Sequence, residues 1–176
     1  MQPCEWATLA RGRGFMQLTV TTLLKEAAVD IDQPVRFALE EKGSEVHSIT
    51  SDQSVHRAIS QMSEHHIGCL VVLDAQRALI GIIAERDYCR KVILQARNSH
   101  GTRVREIMTA PVVTVSPDQS MRETMQLMTE RRIRHVPVVE DGEVVGILSI
   151  GDLVKWVCGE QGETIRLLRD RLSANS

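Results

Sequence analysis

The chain carries one pattern twice. Residues Ile49 to Val92 recur, with one residue deleted, as Val115 to Val157. Thr50-Ser51-Asp52-Gln53-Ser54 faces Ser116-Pro117-Asp118-Gln119-Ser120, and Met62 and Ile67 face Met128 and Ile133. Beyond the deletion, Gly81-Ile82-Ile83-Ala84-Glu85-Arg86-Asp87 faces Gly146-Ile147-Leu148-Ser149-Ile150-Gly151-Asp152. A unit of this size cannot bury its own apolar face, so the two copies are expected to pack on each other. Pseudo-twofold packing creates two related clefts at the seam. That favours a small-molecule sensor over an enzyme.

Each copy reads as β-α-β-β-α, which places the chain in the α/β (α+β) class. In the first, His47 to Thr50 suits a short strand, and Asp52-Gln53-Ser54 a turn and N-cap. Val55, Ala58, Ile59 and Met62 then recur at helical spacing. Ile67 to Leu73 and Leu79 to Ala84 have strand length, and a second helix is expected to start near Asp87. In the second copy the expected strands are Val112 to Val115, Val136 to Val139 and Val144 to Ser149. The Asp141-Gly142 pair is a hairpin signal. Met121, Met125 and Met128 fall at helical spacing and read as core or interface packing. Before the first copy, Pro34 suits the first turn of a helix that Lys42 and Gly43 close. The resulting division is an N-terminal extension over 1–33, a first repeat with its leading helix over 34–98, a second repeat over 99–158 and a charged tail over 159–176.

Composition narrows the function. With 176 residues there is enough apolar content for a core without disulfide staples. The net charge is −2 and aromatics make up 3% of residues, so neither a basic nucleic-acid-binding stripe nor a base-stacking platform is expected. No run is apolar enough to span a membrane. Cys4, Cys69, Cys89 and Cys158 lack zinc spacing, and a reducing cytoplasm suits them. Arg11 and Arg13 leave a transit peptide as the lesser alternative, and Met16 could equally be the start of the chain. Residues 1–15 would then be an upstream extension.

The pattern resembles a tandem pair of CBS domains, named after cystathionine β-synthase. Three motifs carry the resemblance: the Gly-hydrophobic-hydrophobic-x-x-x-Asp junctions at Gly81–Asp87 and Gly146–Asp152; the run Ile133-Arg134-His135-Val136-Pro137-Val138-Val139; and the preface Val104-Arg105-Glu106-Ile107-Met108-Thr109 followed by Pro111-Val112-Val113-Thr114-Val115. It covers roughly residues 34 to 158, and Glu85 to Lys91 looks like the subgroup of small stand-alone bacterial CBS-pair proteins. The resemblance implies two β-α-β-β-α units packed sheet to sheet, often dimerising into a flat disc of four repeats. It also implies binding of an adenosyl ligand (AMP, ATP, NAD or S-adenosylmethionine) between the repeats, without catalysis.

The family's anchor is an aspartate whose carboxylate accepts from both ribose hydroxyls. Asp87 and Asp152 match it. Taken singly, each is explained as well by helix capping, since Ser149 and Asp152 form a Ser-x-x-Asp pattern; their recurrence at equivalent points favours a ligand role. Ser149 adds a hydroxyl where the first copy has Ala84, and Gly151 lets a ligand approach the backbone. Arg86 and Arg90 could hold phosphate beside Asp87. Two unequal sites are therefore expected, the Asp152 site being the better. By the family pattern, Ile133, Arg134 and His135, with Ile147 and with His47 across the seam, would serve Asp152. Ile67, Gly68 and Cys69, with Val113 across the seam, would serve Asp87. Arg134 resembles a phosphate-contacting position, and Gly68 leaves space for a base, although tight strand packing explains it too. His65-His66 reads as a solvated helix terminus, and Arg131-Arg132-Arg134 as a small basic cluster.

The expected protein is a regulatory module that forms a homodimer and reports occupancy to a downstream protein. The rival is a structural or interaction module with degenerate pockets, which Ala84 supports. An enzyme is disfavoured, because no nucleophile–base pair, metal cluster or phosphate-cradling glycine loop is visible.

Overall fold

A computed structural model describes residues 31–43 and 45–156. Asp32–Leu153 form one compact unit, and Ile31 and Val154–Trp156 fall outside it. The expectations for the N-terminal extension and the tail lie outside the described residues.

In chain order the elements are α1 (Val35–Lys42), β1 (Ser48–Thr50), α2 (Val55–Glu64), β2 (Cys69–Leu73), β3 (Leu79–Ala84) and α3 (Glu85–Tyr88), which runs on into a π-helical turn, Cys89–Ile93. There follow α4 (Val104–Ile107), α5 (Met121–Arg131), β4 (His135–Glu140), β5 (Glu143–Ser149) and a helical segment over 150–156. The fold is of mixed α+β class, with the β-α-β-β-α order of the first repeat as expected. The second helix begins at Glu85, near Asp87 as expected, with Ala84, still extended, as its N-cap.

The copies match in detail. Ser54 and Ser120 cap α2 and α5, their hydroxyls each accepting a backbone N–H at 3.2 Å. β2 and β3 pair antiparallel with Cys69 opposite Ala84, and β4 and β5 with His135 opposite Ser149. A bulge recurs at Val72/Leu73 and Val138/Val139. The deleted residue falls in the loop that follows. Asp74 organises the longer first loop by accepting from the N–H groups of Gln76 (2.9 Å) and Ala78 (2.8 Å). The second is a tight turn with Asp141 at φ 51° and Gly142 at φ 85°, as Asp-Gly predicts.

They differ at the first strand. β1 lies parallel to β2, Ser48 opposite Val71, and the Val71 N–H donates to His47 O at 3.3 Å. The expected strand over Val112–Val115 is instead a single bridge, Val115 to Val138. The reason is Pro137, which stands where the first copy has Val71 and has no N–H to donate towards residue 113. Only the bonds from Val115 N to Pro137 O (3.1 Å) and from Val139 N to Val115 O (2.9 Å) remain.

The leading segments cross over. α1 precedes the first copy in sequence but packs on the second: Val35 N donates to Gln119 O (2.9 Å), and Leu39 covers Gly146, where an added Cβ would come within 2.6 Å of it. α4 does the same on the first copy, with Val104 N donating to Gln53 O (2.9 Å) and Met108 lying 2.5 Å from a Cβ built on Gly81. The first core is formed by residues such as Val55, Met62, Leu70 and Ile83, joined by Val104 and Ile107 of α4. In the second copy Met121, Met128, Val136, Leu148 and Leu153 are fully buried. The core reading of Met121 and Met128 thus holds.

Candidate ligand clefts

Each copy ends its last strand at the seam and turns at once into a helix, which places an acid three residues beyond the strand end. Asp87 Oδ2 accepts the Ala84 N–H at 3.1 Å, and Asp152 Oδ2 accepts the Ser149 N–H at 2.7 Å. Only the second site closes the reciprocal bond, from Asp152 N–H to Ser149 Oγ at 3.1 Å, because Ala84 has no hydroxyl. Both carboxylates also meet a lysine. Lys91, one turn along the same helix, sits 2.8 Å from Asp87 Oδ1. Lys42, from the end of α1, donates to Asp152 Oδ2 at 2.7 Å and to Ile147 O at 2.8 Å.

Two clefts open at these aspartates. The Asp152 cleft, about 400 Å³, is lined by Lys42, His47, the turn from His65 to Cys69, His135, Ile147 and Ser149. The Asp87 cleft, about 350 Å³, is lined by Ile82, Ala84, Arg86, Arg90 and Lys91 from one side and by Arg132, Ile133, Arg134 and His135 from the other. Both volumes are within the range that takes a small ligand.

The strand starts reach the opposite clefts from those the family pattern assigns. Ile67 and Cys69 line the cleft of Asp152, Ile133 and Arg134 that of Asp87, and Gly68 and His135 border both. Gly68 and His135 meet at the seam: a Cβ on Gly68 would lie 3.2 Å from His135 Cε1. Each strand start therefore projects across towards the other copy's aspartate, and Gly68 serves close packing. Val113 lines neither cleft, consistent with the ladder bond that Pro137 cannot make, whereas its counterpart His47 is held in place and lines one.

Electrostatics differ between the clefts. Burial works against the Asp152 carboxylate, but hydrogen bonds from Lys42 and Ser149 and the lysine's charge outweigh it, and the carboxyl sits below its ordinary range. Burial, aided by Lys42 and Arg134, lowers the His135 pKa against the pull of Asp152 and Glu85, which favours the neutral ring. Burial pushes the Cys69 thiol up to about 12, which makes it a packing residue rather than a nucleophile. The His47 and His65 rings lie 4.1 Å apart, and Glu45 stands 3.5 Å from His47 Nε2. Among the described residues no group of three or more His, Cys, Asp or Glu side chains is arranged to hold a metal.

Sequence reasoning passed over several lining residues. Ile82 is the counterpart of Ile147, Lys91 is four residues from Asp87, and both relations were visible. Lys42 was legible only as a helix stop, because its link to Asp152 spans 110 positions.

A two-copy fold with paired aspartate clefts at its seam defines a class, and comparison agrees. The CBS domain family model matches residues 43–93 and 104–159, so the chain belongs to the CBS domain family as a tandem pair. It is 46% identical over 123 residues to the mitochondrial CBS domain-containing protein CBSX3 of Arabidopsis thaliana, covering 68% of this chain and 60% of that protein, less than two thirds of the relative's length. A solved structure described as a putative signal-transduction protein with CBS domains, from Burkholderia ambifaria, is 47% identical with a TM-score of 0.70, covering 73% of this chain and 96% of that one. A CBS-domain protein of Agrobacterium tumefaciens is 38% identical with a TM-score of 0.68, over 71% and 93%. No helix among the described residues is long and apolar enough to cross a membrane.

Proposed function

We propose that this CBS pair is a regulatory module that binds an adenosyl nucleotide (AMP, ATP or NAD, with S-adenosylmethionine as a further member of the class) at the seam and passes occupancy to a partner protein without catalysing a reaction. The observation that carries this reading is the recurrence of Asp87 and Asp152 at equivalent strand ends, each bordering a cleft of small-ligand size. A carboxylate so placed can accept from both hydroxyls of a ribose. A ribose on either aspartate competes with Lys42 or Lys91 for the carboxylate, and an ammonium so freed becomes available to phosphate. Two copies of the chain forming the signalling unit, and a cytoplasmic setting, belong to the same proposal; the Arabidopsis relative's mitochondrial name applies to that protein.

A second reading, a docking module with degenerate pockets, is favoured by one observation: both aspartates already have protein partners. A thermal-shift titration with AMP, ATP, NAD and S-adenosylmethionine, run beside Asp87→Ala and Asp152→Ala, separates the two. A ligand at a hundred times its dissociation constant adds about 2.7 kcal/mol of stability. A shift lost in an aspartate variant supports the nucleotide module; flat melting curves with every ligand support docking.

A further inference from the structure

The repeat supplies an internal control, because each cleft is built on the same backbone with different side chains. His66 and Arg132 occupy equivalent positions, both left-handed at φ 54°, and each lines its own cleft. Gly68 in one copy corresponds to Arg134 in the other, and Gly151 to Arg86. At all three positions the residue associated with Asp87 is an arginine and its counterpart is not.

The consequence is a large difference in charge. Arg86, Arg90, Lys91, Arg132 and Arg134 border the Asp87 cleft against two carboxylates, Glu85 and Asp87. Lys91 is matched by Asp87 at 2.8 Å. The four arginines are exposed, and none forms an ion pair among the described residues. Arg86 instead donates across the seam to Arg132 O at 3.1 Å, which tethers a guanidinium between the copies. The Asp152 cleft has one lysine, Lys42, already paired, together with Glu45 and histidines. Like charges that outnumber their counter-charges repel one another, and a multivalent anion relieves that repulsion at several points at once.

We propose that the Asp87 cleft is the polyphosphate site, taking a nucleoside di- or triphosphate with its ribose on Asp87 and its phosphate chain on Arg132, Arg134 and Arg86, while the Asp152 cleft takes an adenosyl group carrying at most one phosphate. This rests on the nucleotide reading above and names the ligand class of each cleft.

The test is calorimetric titration of the full chain with ATP, AMP, adenosine and inorganic triphosphate. Asp152→Ala isolates the Asp87 cleft. The double variant Arg132→His with Arg134→Gln gives those two positions the charge of their counterparts, and Arg132→Lys with Arg134→Lys keeps the charge. Ligand-free melting of each variant checks folding. Removing one charge-assisted hydrogen bond to phosphate should weaken binding roughly tenfold. In the Asp152→Ala background ATP should bind at least about tenfold more tightly than AMP. The charge-removing pair should then cost ATP about a hundredfold and adenosine very little, and the lysine pair should retain part of the ATP preference. Equal affinity for ATP and AMP, or a preference untouched by the double variant, overturns the assignment and leaves the nucleotide reading standing. Triphosphate binding that the double variant abolishes, with no adenosyl ligand bound, keeps the anion site and overturns the nucleotide reading. No binding by any probe overturns both.

Discussion

Asp87 and Asp152 occupy the same place in two copies of one fold, yet they are held in opposite ways. Asp87 is held locally, by the strand end before it and by Lys91 one turn later in the same helix. Asp152 is held at long range, by Lys42 from a helix that precedes the other copy in sequence. Position 156, the counterpart of Lys91, is tryptophan, so the second copy has no lysine of its own to offer there. A ligand displacing Lys91 loosens a contact within its own helix and one to Ile107 O at 2.6 Å, at the end of α4. A ligand displacing Lys42 releases the end of α1, which also bonds to Ile147 O and covers Gly146. Both clefts are thus linked to a leading segment, but only at Asp152 does that segment itself supply the lysine.

Such a contrast requires the copies to fold as one cooperative body, and the largest predicted effects test this. Ile83 and Leu148 are equivalent and both fully buried. Truncating either to alanine should cost about 2–5 kcal/mol in a single unfolding transition. Two transitions, each moved by only one substitution, would mean that the copies unfold independently and that the clefts do not share a common scaffold. Smaller effects come from the crossed-over segments. Gly146→Ala and Gly81→Ala both press a methyl into a neighbour, an overpacking worth roughly 1–3 kcal/mol. Gly146→Ala should be the costlier, because it meets the branched Leu39, whereas Gly81→Ala meets the flexible thioether of Met108. Chemical denaturation of the two variants reads the difference, and the reverse order would mean that Leu39 yields to the added methyl more readily than Met108.

What the sequence made legible is what the repeat and local chemistry encode. Ser54 and Ser120 as caps, the Asp141-Gly142 turn, the core methionines and the aspartates at the seam all follow from short-range pattern. The crossing of α1 and α4 to the opposite copies did not, because no local signal says which copy a leading helix will cover. The same blindness sent Ile67, Cys69, Ile133 and Arg134 to the wrong clefts: which way a strand start projects depends on packing between the copies, where Gly68 meets His135. The loss of the Val112–Val115 strand was readable in principle. Pro137 stands in the run Val136 to Val139, and a proline withholds one ladder bond from whichever strand lies alongside it.

His135 sharpens the comparison in a pH series, since it borders both clefts. Its folded pKa lies below the ordinary histidine value, so the unfolded chain takes up the proton first as pH falls. This contribution to stability is complete above about pH 6.5 and is lost progressively below it. Wild type should melt at lower temperature from that point downwards, and His135→Gln should flatten this part of the profile. An unchanged profile would mean that the imidazole is no more costly to charge in the folded protein than in the unfolded chain.

The smallest predicted effect separates the two lysines. Lys42→Ala and Lys91→Ala each remove a partly exposed pair, worth at most about 1 kcal/mol. Their consequences in acid should nevertheless differ. Asp152 has its pKa held down by Lys42, so its contribution is present above the unfolded carboxylate value of about 4 and is lost as pH falls through the lower folded value. Without Lys42, burial is opposed only by the Ser149 bonds. The Asp152 pKa then rises and its acid transition moves to higher pH. Carboxyl titration followed by NMR should show Asp152 shifting upwards in Lys42→Ala and standing still in Lys91→Ala. Hydrogen exchange at the Gly43 amide, which bonds to Leu39 O at 2.8 Å, should accelerate only in Lys42→Ala. If both lysine variants leave that amide equally protected, the Asp152 carboxylate is not what secures the end of α1, and the distinction between a locally held and a remotely held site fails.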